Sequence, residues 1–158
     1  MGQEIERKYL VNHSKWKQLA KPEGEQYRQG YLLTDPNKTI RVRQAGSKGF
    51  LTIKGPSVGA RRLEYEYEIP FKEAEELLAH FSVSELSKIR YKLPIGNKVW
   101  EVDVFLGENA GLIVAEIELE SEDEEFDVPD WIGEEVTTKQ EYYNSNLTTN
   151  RYKNWKPQ

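Results

Sequence analysis

The side chains with chemistry in them are carboxylates and cations set two positions apart. They recur as Glu4, Glu6 and Lys8; Arg41 and Arg43; Thr52 and Lys54; Glu64, Glu66 and Glu68; Lys88, Arg90 and Lys92; Glu101 and Asp103; and Glu116, Glu118 and Glu120. In an extended strand, residues two apart share a face, so each group forms one charged face. Within most groups the signs are alike, and like charges at that spacing repel unless something counters them. Gathered carboxylates become favourable around a divalent cation, and gathered guanidinium and ammonium groups around a polyphosphate. Both ligands together would satisfy both sets. A solvated sheet face accounts for any one of these strands, but not for the sorting by sign across all of them.

The elements that must carry these faces read as strands. Alternation with period two predicts strands over 4–10, 27–33, 39–45, 50–54, 63–69, 88–93, 98–105 and 112–120, with turns at 35–37, 46–49, 56–59, 94–97 and 107–111. The opposite faces are apolar: Leu63, Tyr65, Tyr67 and Ile69; Ile89, Tyr91 and Leu93; Trp100, Val102 and Val104; Ile113, Ala115, Ile117 and Leu119. About eight strands suffice to close a barrel. With the charged faces inward, the apolar faces point out and need cladding. Residues 71–81 place Ala74, Leu77, Leu78 and Phe81 at helical spacing. A shorter helix over 14–20 carries Trp16 and Leu19, and Thr138 with Glu141 reads as a capping box opening a C-terminal helix. The acidic stretch 120–130 reads as a solvated connection. The fold class is therefore mainly β with peripheral helices (α+β), a closed eight-stranded antiparallel barrel.

Bulk properties bound the reading. A length of 158 residues fits a single domain over 1–158. The absence of cysteine excludes disulfides and thiolate chemistry. A net charge of −5 repels nucleic acid, so a polyanion site needs a local gathering of Lys and Arg. No stretch reaches membrane-spanning length, and the opening Met1-Gly2-Gln3-Glu4-Ile5-Glu6 lacks the apolar region of a secretory signal, so a cytoplasmic protein is expected. His13 and His80 stand alone, and no Ser-His-Asp assembly can be built.

From Glu4-Ile5-Glu6-Arg7-Lys8 onward the chain resembles the CYTH superfamily, the triphosphate tunnel metalloenzymes. The resemblance continues in order through Arg28-Gln29-Gly30-Tyr31-Leu32, Arg41-Val42-Arg43, Thr52-Ile53-Lys54, Glu64-Tyr65-Glu66, Lys88-Ile89-Arg90-Tyr91, Glu101-Val102-Asp103-Val104-Phe105, Ala115-Glu116-Ile117-Glu118-Leu119 and Trp131-Ile132-Gly133-Glu134-Glu135-Val136-Thr137. It implies an eight-stranded tunnel that hydrolyses a small-molecule triphosphate with Mg2+ or Mn2+. Lys8, Arg41, Arg43, Lys54, Lys88 and Arg90 would contact phosphate; Glu4, Glu6, Asp103, Glu116 and Glu118 would hold metal. Glu64, Glu66 and Glu101 would serve a second metal or the attacking water. Tyr31 matches a position sometimes assigned as proton acceptor, although a phenol with an ordinary pKa of about 10 is a poor base near neutrality. Where the family carries an acidic and then a basic residue before an aromatic, this chain reads Lys139-Gln140-Glu141-Tyr142, so that the segment either reaches substrate through Lys139 or contributes no cation. Inorganic triphosphate is the expected substrate. Class IV adenylate cyclase activity, thiamine triphosphatase activity and a non-catalytic polyphosphate-binding module are the alternatives. Neither nucleic acid nor membrane is expected as a partner, and a homodimer is left open.

Overall fold

A computed structural model describes residues 2–35 and 37–155. Its strands are β1 (Gln3–Val11), β2 (Glu25–Asp35), β3 (Lys38–Ala45), β4 (Lys48–Lys54), β5 (Arg61–Ile69), β6 (Ser84–Ile95), β7 (Lys98–Phe105), β8 (Ile113–Glu118) and β9 (Ile132–Glu135). The order β5-β4-β3-β2-β6-β7-β8-β1 returns to its start because β1 also pairs with β5. All these pairings are antiparallel, so eight strands close a barrel and leave no open edge among them. Each strand expected from alternation is present. In the turn expected over 35–37, Pro36 lies outside the described residues.

The ninth strand was not expected. Gln3 to Ile5 of β1 pair with β5, and Tyr9 and Val11, further along the same edge, pair with β9. Ile132-Gly133-Glu134-Glu135 has no alternation to betray a strand, and it exists because β1 outruns β5 and offers unpaired backbone groups.

The apolar faces point outward, as the charge pattern required. Around β1, β7 and β8 the cladding is aromatic. Trp16 from α1 (His13–Gln18) and Trp131 before β9 pack at 5.7 Å between ring centroids, and Trp131 meets the fully buried Trp100 at 6.1 Å. The helix starts one residue earlier than the pattern suggested because Asn12 caps it, its side chain accepting from Lys15 N at 3.0 Å. The acidic connection is not merely solvated: Phe126 packs edge-on against Trp100 at 5.8 Å, and the Asp127 carbonyl accepts from Trp100 Nε1. On the other side of the barrel, α2 (Phe71–Phe81) buries Ala74 and Leu78 against Val42. Burial on this scale contributes about 1.5–3 kcal/mol for each large side chain. Phe81, by contrast, is exposed, because α2 stops at Ser82, whose hydroxyl donates to the Leu78 carbonyl at 2.6 Å. Among the described residues the outer face of β5 is left largely open, with Leu63, Tyr65 and Tyr67 54%, 49% and 56% exposed.

The C-terminal segment departs furthest from expectation. Thr138 and Glu141 form no capping box. A 3-10 turn over Gln140–Tyr142 and a four-residue α3 (Asn144–Leu147) follow one another without a side-chain cap. Extended backbone at Tyr143 separates them, and Lys139 before the turn is extended as well. The segment bends because it closes one end of the barrel. Leu10, Leu86, Phe105 and Val114 lie two residues beyond Lys8, Lys88, Asp103 and Glu116 on the same strand faces. They form an apolar cluster with Leu112 and Leu147, overlaid by Tyr142, Tyr152 and Trp155. The bore is thus charged along most of its length and greasy at its closed end. No helix among the described residues is long and apolar enough to cross a membrane.

Candidate active site

The charged faces meet in a cavity of about 310 Å³ inside the barrel. Eight cations line it, Lys8, Arg41, Arg43, Lys54, Arg62, Lys88, Arg90 and Lys92, against seven carboxylates, Glu4, Glu6, Glu64, Glu66, Glu101, Glu116 and Glu118. In a chain of net charge −5, this is a local concentration of positive charge.

The deepest cations cluster on β3 and β6, around a ring carried by β2. Arg43, Arg90 and Lys88 surround the Tyr27 ring at 4.9, 5.1 and 6.0 Å from its centroid, so the aromatic face offsets part of their mutual repulsion. Burial, followed by the Arg41 and Arg90 charges, draws Arg43 down to about 10. The Nε of Arg41 is buried and has no hydrogen-bond partner among the described residues. Such a donor costs about 1–3 kcal/mol unless a ligand takes it.

Asp103 stands apart from the other carboxylates expected to hold metal. It does not line the cavity and is only 1% exposed. Its Oδ1 accepts from Arg90 Nε at 2.7 Å, and its Oδ2 accepts from Arg90 Nη2 at 2.9 Å and Lys88 Nζ at 2.7 Å. Burial pushes its carboxyl up, but the Arg90 and Lys88 charges outweigh that and hold it well below the usual range. It is the counter-charge under two cations, with both oxygens engaged.

The acidic wall lies on β1 and β8, where register sets Glu6 opposite Glu118 and Lys8 opposite Glu116. Burial, then the Glu116 charge, raises Glu6 to about 8. Burial also raises Glu4 to about 7, against the pull of Lys54, with Glu64 and Glu116 adding to the rise. Burial and then Glu4 push Glu118 up as well. Glu116 goes the other way, to about 2, because Lys8 at 3.7 Å and Arg90 outweigh its desolvation. Lys54 bridges Glu4 at 3.3 Å and Glu64 at 3.7 Å. Glu66 accepts from Thr52 Oγ1 at 2.8 Å and lies 3.4 Å from Arg41, and Glu101 lies 3.4 Å from Arg90.

Crowded carboxylates that hold their protons to neutral pH are short of positive charge, and all-oxygen donors suit a hard divalent cation. No group of three acidic or His side chains is already gathered as a ligand set among the described residues.

At the closed end the wall is neutral. Thr137, Tyr143, Asn144 and Ser145 line it. Lys8 Nζ sits 4.9 Å from the Tyr143 ring centroid, and Asn144 Oδ1 accepts from Lys88 Nζ at 2.7 Å. Lys139 is exposed, paired with Glu134 and outside the cavity, so this segment brings amide and hydroxyl groups to the bore and no cation. Tyr31 lines the cavity; His13 and His80 do not.

Sequence reasoning missed Arg62, which shares the face of Glu64 and stands opposite Glu4. The signal was its parity, hidden because β5 begins at Arg61 rather than at Leu63. Lys92 was placed on the right face but not carried into the site.

A closed antiparallel barrel with a cation floor and a wall of crowded carboxylates defines a charged-tunnel protein. The chain belongs to the CYTH domain family, whose model matches residues 2–152. Over 157 residues it is 53% identical to the inorganic triphosphatase of Acetivibrio thermocellus, covering 99% of each chain. Over 153 residues it is 39% identical to the inorganic triphosphatase of Nitrosomonas europaea, covering 91% of this chain and 95% of the other. A solved crystal structure of an inorganic triphosphatase aligns with a TM-score of 0.63 at 35% identity, covering 92% of this chain and 93% of that one.

Proposed function

We infer that this chain is a divalent-metal-dependent triphosphatase that hydrolyses inorganic triphosphate to phosphate and pyrophosphate, working as a single domain over 1–158. The observation that carries the reading is the uncompensated charge of the bore. Among the described residues Arg41 holds a buried donor with no partner, Arg43 is crowded by other cations, and Glu4 and Glu6 keep their protons to about 7 and 8. A triphosphate and a divalent cation together relieve all of these.

Phosphoryl transfer asks the protein for positioning and charge neutralisation rather than covalent chemistry. Lys8, Arg41, Arg43, Lys54, Lys88 and Arg90 bind the phosphate oxygens, and Arg62 and Lys92 extend that surface. Glu4, Glu6, Glu116 and Glu118 are the carboxylates that would hold Mg2+ or Mn2+. When bound, the cation neutralises phosphate charge and lowers the pKa of coordinated water. Glu64, Glu66 and Glu101 orient water towards the terminal phosphorus. The water oxygen forms the new bond and gives its proton to one of these carboxylates, the phosphoanhydride bond breaks, and the bridging oxygen leaves with pyrophosphate.

The test is to incubate EDTA-treated protein with tripolyphosphate, ATP or thiamine triphosphate, with and without Mg2+ or Mn2+, and quantify phosphate, pyrophosphate and cyclic AMP. Equal phosphate and pyrophosphate from tripolyphosphate, only with metal, is expected. Cyclic AMP as the sole product, or tight binding without turnover under either metal, refutes the reading. Glu4→Ala, Glu6→Ala and Glu118→Ala should each lower kcat by about 100-fold or more while tripolyphosphate still binds.

A further inference from the structure

Gln29 lies on β2 between Tyr27 and Tyr31, fully buried, behind the cavity wall rather than in it. Its Oε1 accepts from Arg43 Nε at 3.0 Å. Its Nε2 donates to the Tyr31 hydroxyl at 3.3 Å and to Asn144 Oδ1 at 3.4 Å. The two ends of an amide are distinguished by their partners, and here the partner is decisive. A guanidinium only donates, so the amide oxygen must face Arg43 and the NH2 must face Tyr31 and Asn144. Asn144 is fixed by the same logic, because its Oδ1 also accepts from the ammonium of Lys88 at 2.7 Å.

Tyr31 is thereby given a direction. A tyrosine hydroxyl has one proton to donate and lone pairs that accept. With the Gln29 NH2 directed at its oxygen, the Tyr31 proton cannot point back at Gln29. No protein acceptor takes it among the described residues. Tyr31 lines the cavity and is only 3% exposed, so the O–H is aimed into the bore.

We propose that Gln29 is a positioning residue that makes Tyr31 a hydrogen-bond donor to the bound triphosphate and ties Arg43 and Asn144 to the same phosphate-binding floor. The proposal rests on the triphosphatase reading and differs from the proton-acceptor role that the resemblance implies for Tyr31. The phenol keeps its proton and shares it with a phosphate oxygen.

The experiment is a double-mutant cycle on the full chain, assayed with tripolyphosphate and Mn2+. In Gln29→Glu the group facing Tyr31 becomes an acceptor that captures its proton, while Arg43 keeps its acceptor. Tyr31→Phe is expected to lower kcat by about 10- to 100-fold, near the range for loss of one donor to developing charge. Gln29→Glu should match that loss with KM changed by less than about threefold, and adding Tyr31→Phe to it should cost no more than about twofold further. Wild-type kcat in Gln29→Glu, or losses that multiply in the double variant, overturns the proposal. If a melting curve shows that Gln29→Glu does not fold, Gln29→Met replaces it with kcat alone as the criterion, because Met removes the acceptor of Arg43 together with the donor to Tyr31; wild-type kcat in Gln29→Met then overturns the proposal. Wild-type protein in the same assay separates the two readings. No phosphate release from it refutes both, whereas wild-type turnover with independent variants refutes only the role of Gln29.

Discussion

Replacing Asp103 by Asn separates a structural carboxylate from a metal ligand. Asp103 takes three short hydrogen bonds from Lys88 and Arg90 and is almost wholly buried. The variant keeps one acceptor oxygen and turns an NH2 towards a cation. Removing one partner of a buried ion pair costs about 3–5 kcal/mol, and the retained oxygen places the expected loss near 3 kcal/mol. In a chain of this length each kcal/mol moves the melting temperature by about 2–4 °C, so a fall of about 6–12 °C is expected by calorimetry. Tripolyphosphate supplies the missing negative charge, and a ligand at a hundred times its Kd adds about 2.7 kcal/mol of stability. The ligand-induced rise in melting temperature should therefore be larger in D103N than in wild type. Mn2+ affinity without substrate, measured by titration calorimetry, should change by less than about threefold. A D103N protein that melts like wild type but loses Mn2+ affinity tenfold refutes the reasoning and restores Asp103 as a ligand.

Two further outcomes follow from the same geometry. In metal-free protein Glu4 and Glu6 hold protons up to about 7 and 8, whereas an unfolded glutamate titrates near 4.3. Between these values the folded chain holds more protons than the unfolded one, so stability falls as pH rises. The melting temperature in EDTA should decline from pH 5 to pH 8, and Glu6→Gln or saturating Mn2+ should flatten the decline; a rise with pH contradicts the crowding of the acidic wall. Lys139→Ala should leave kcat and KM for tripolyphosphate within about twofold, because Lys139 faces solvent beside Glu134; a large rise in KM would bring the C-terminal cation back into the site.

Much of the barrel was legible because one period governs it. Arg41 with Arg43 and Lys88 with Arg90 alternate so regularly with apolar neighbours that strand, face and sign could be read together. What stayed hidden depended on three-dimensional neighbours. Asp103 has the same type and spacing as Glu4 and Glu6, and only the three-dimensional position of Lys88 and Arg90 over it shows both its oxygens engaged. Leu10, Leu86, Phe105 and Val114 continue the charged faces in register, so the change from wet bore to greasy end looks locally like a strand losing its pattern. β9 arises from a spare stretch of β1 and carries no signal of its own. The capping motif at Thr138 and Glu141 is a local preference overridden by the need to bend across the barrel end. Gln29 was quoted within a motif, but an amide on a strand shows neither its partners nor their polarity.

The position of β1 sets the order in which this molecule comes into being. One edge of β1 is held by β8 and the other by β5 and β9, so the strand that carries Glu4, Glu6 and Lys8 finds its place only when distant parts of the chain are available. Such long-range pairings must overcome loop-closure entropy before they return any stability, which makes closure the slow event. Hydrolytic competence and the final ring of strands therefore arrive together: a nascent chain lacking β8 has the cations of β3 and β6, but only β5, along Gln3 to Ile5, to hold its first carboxylates against them.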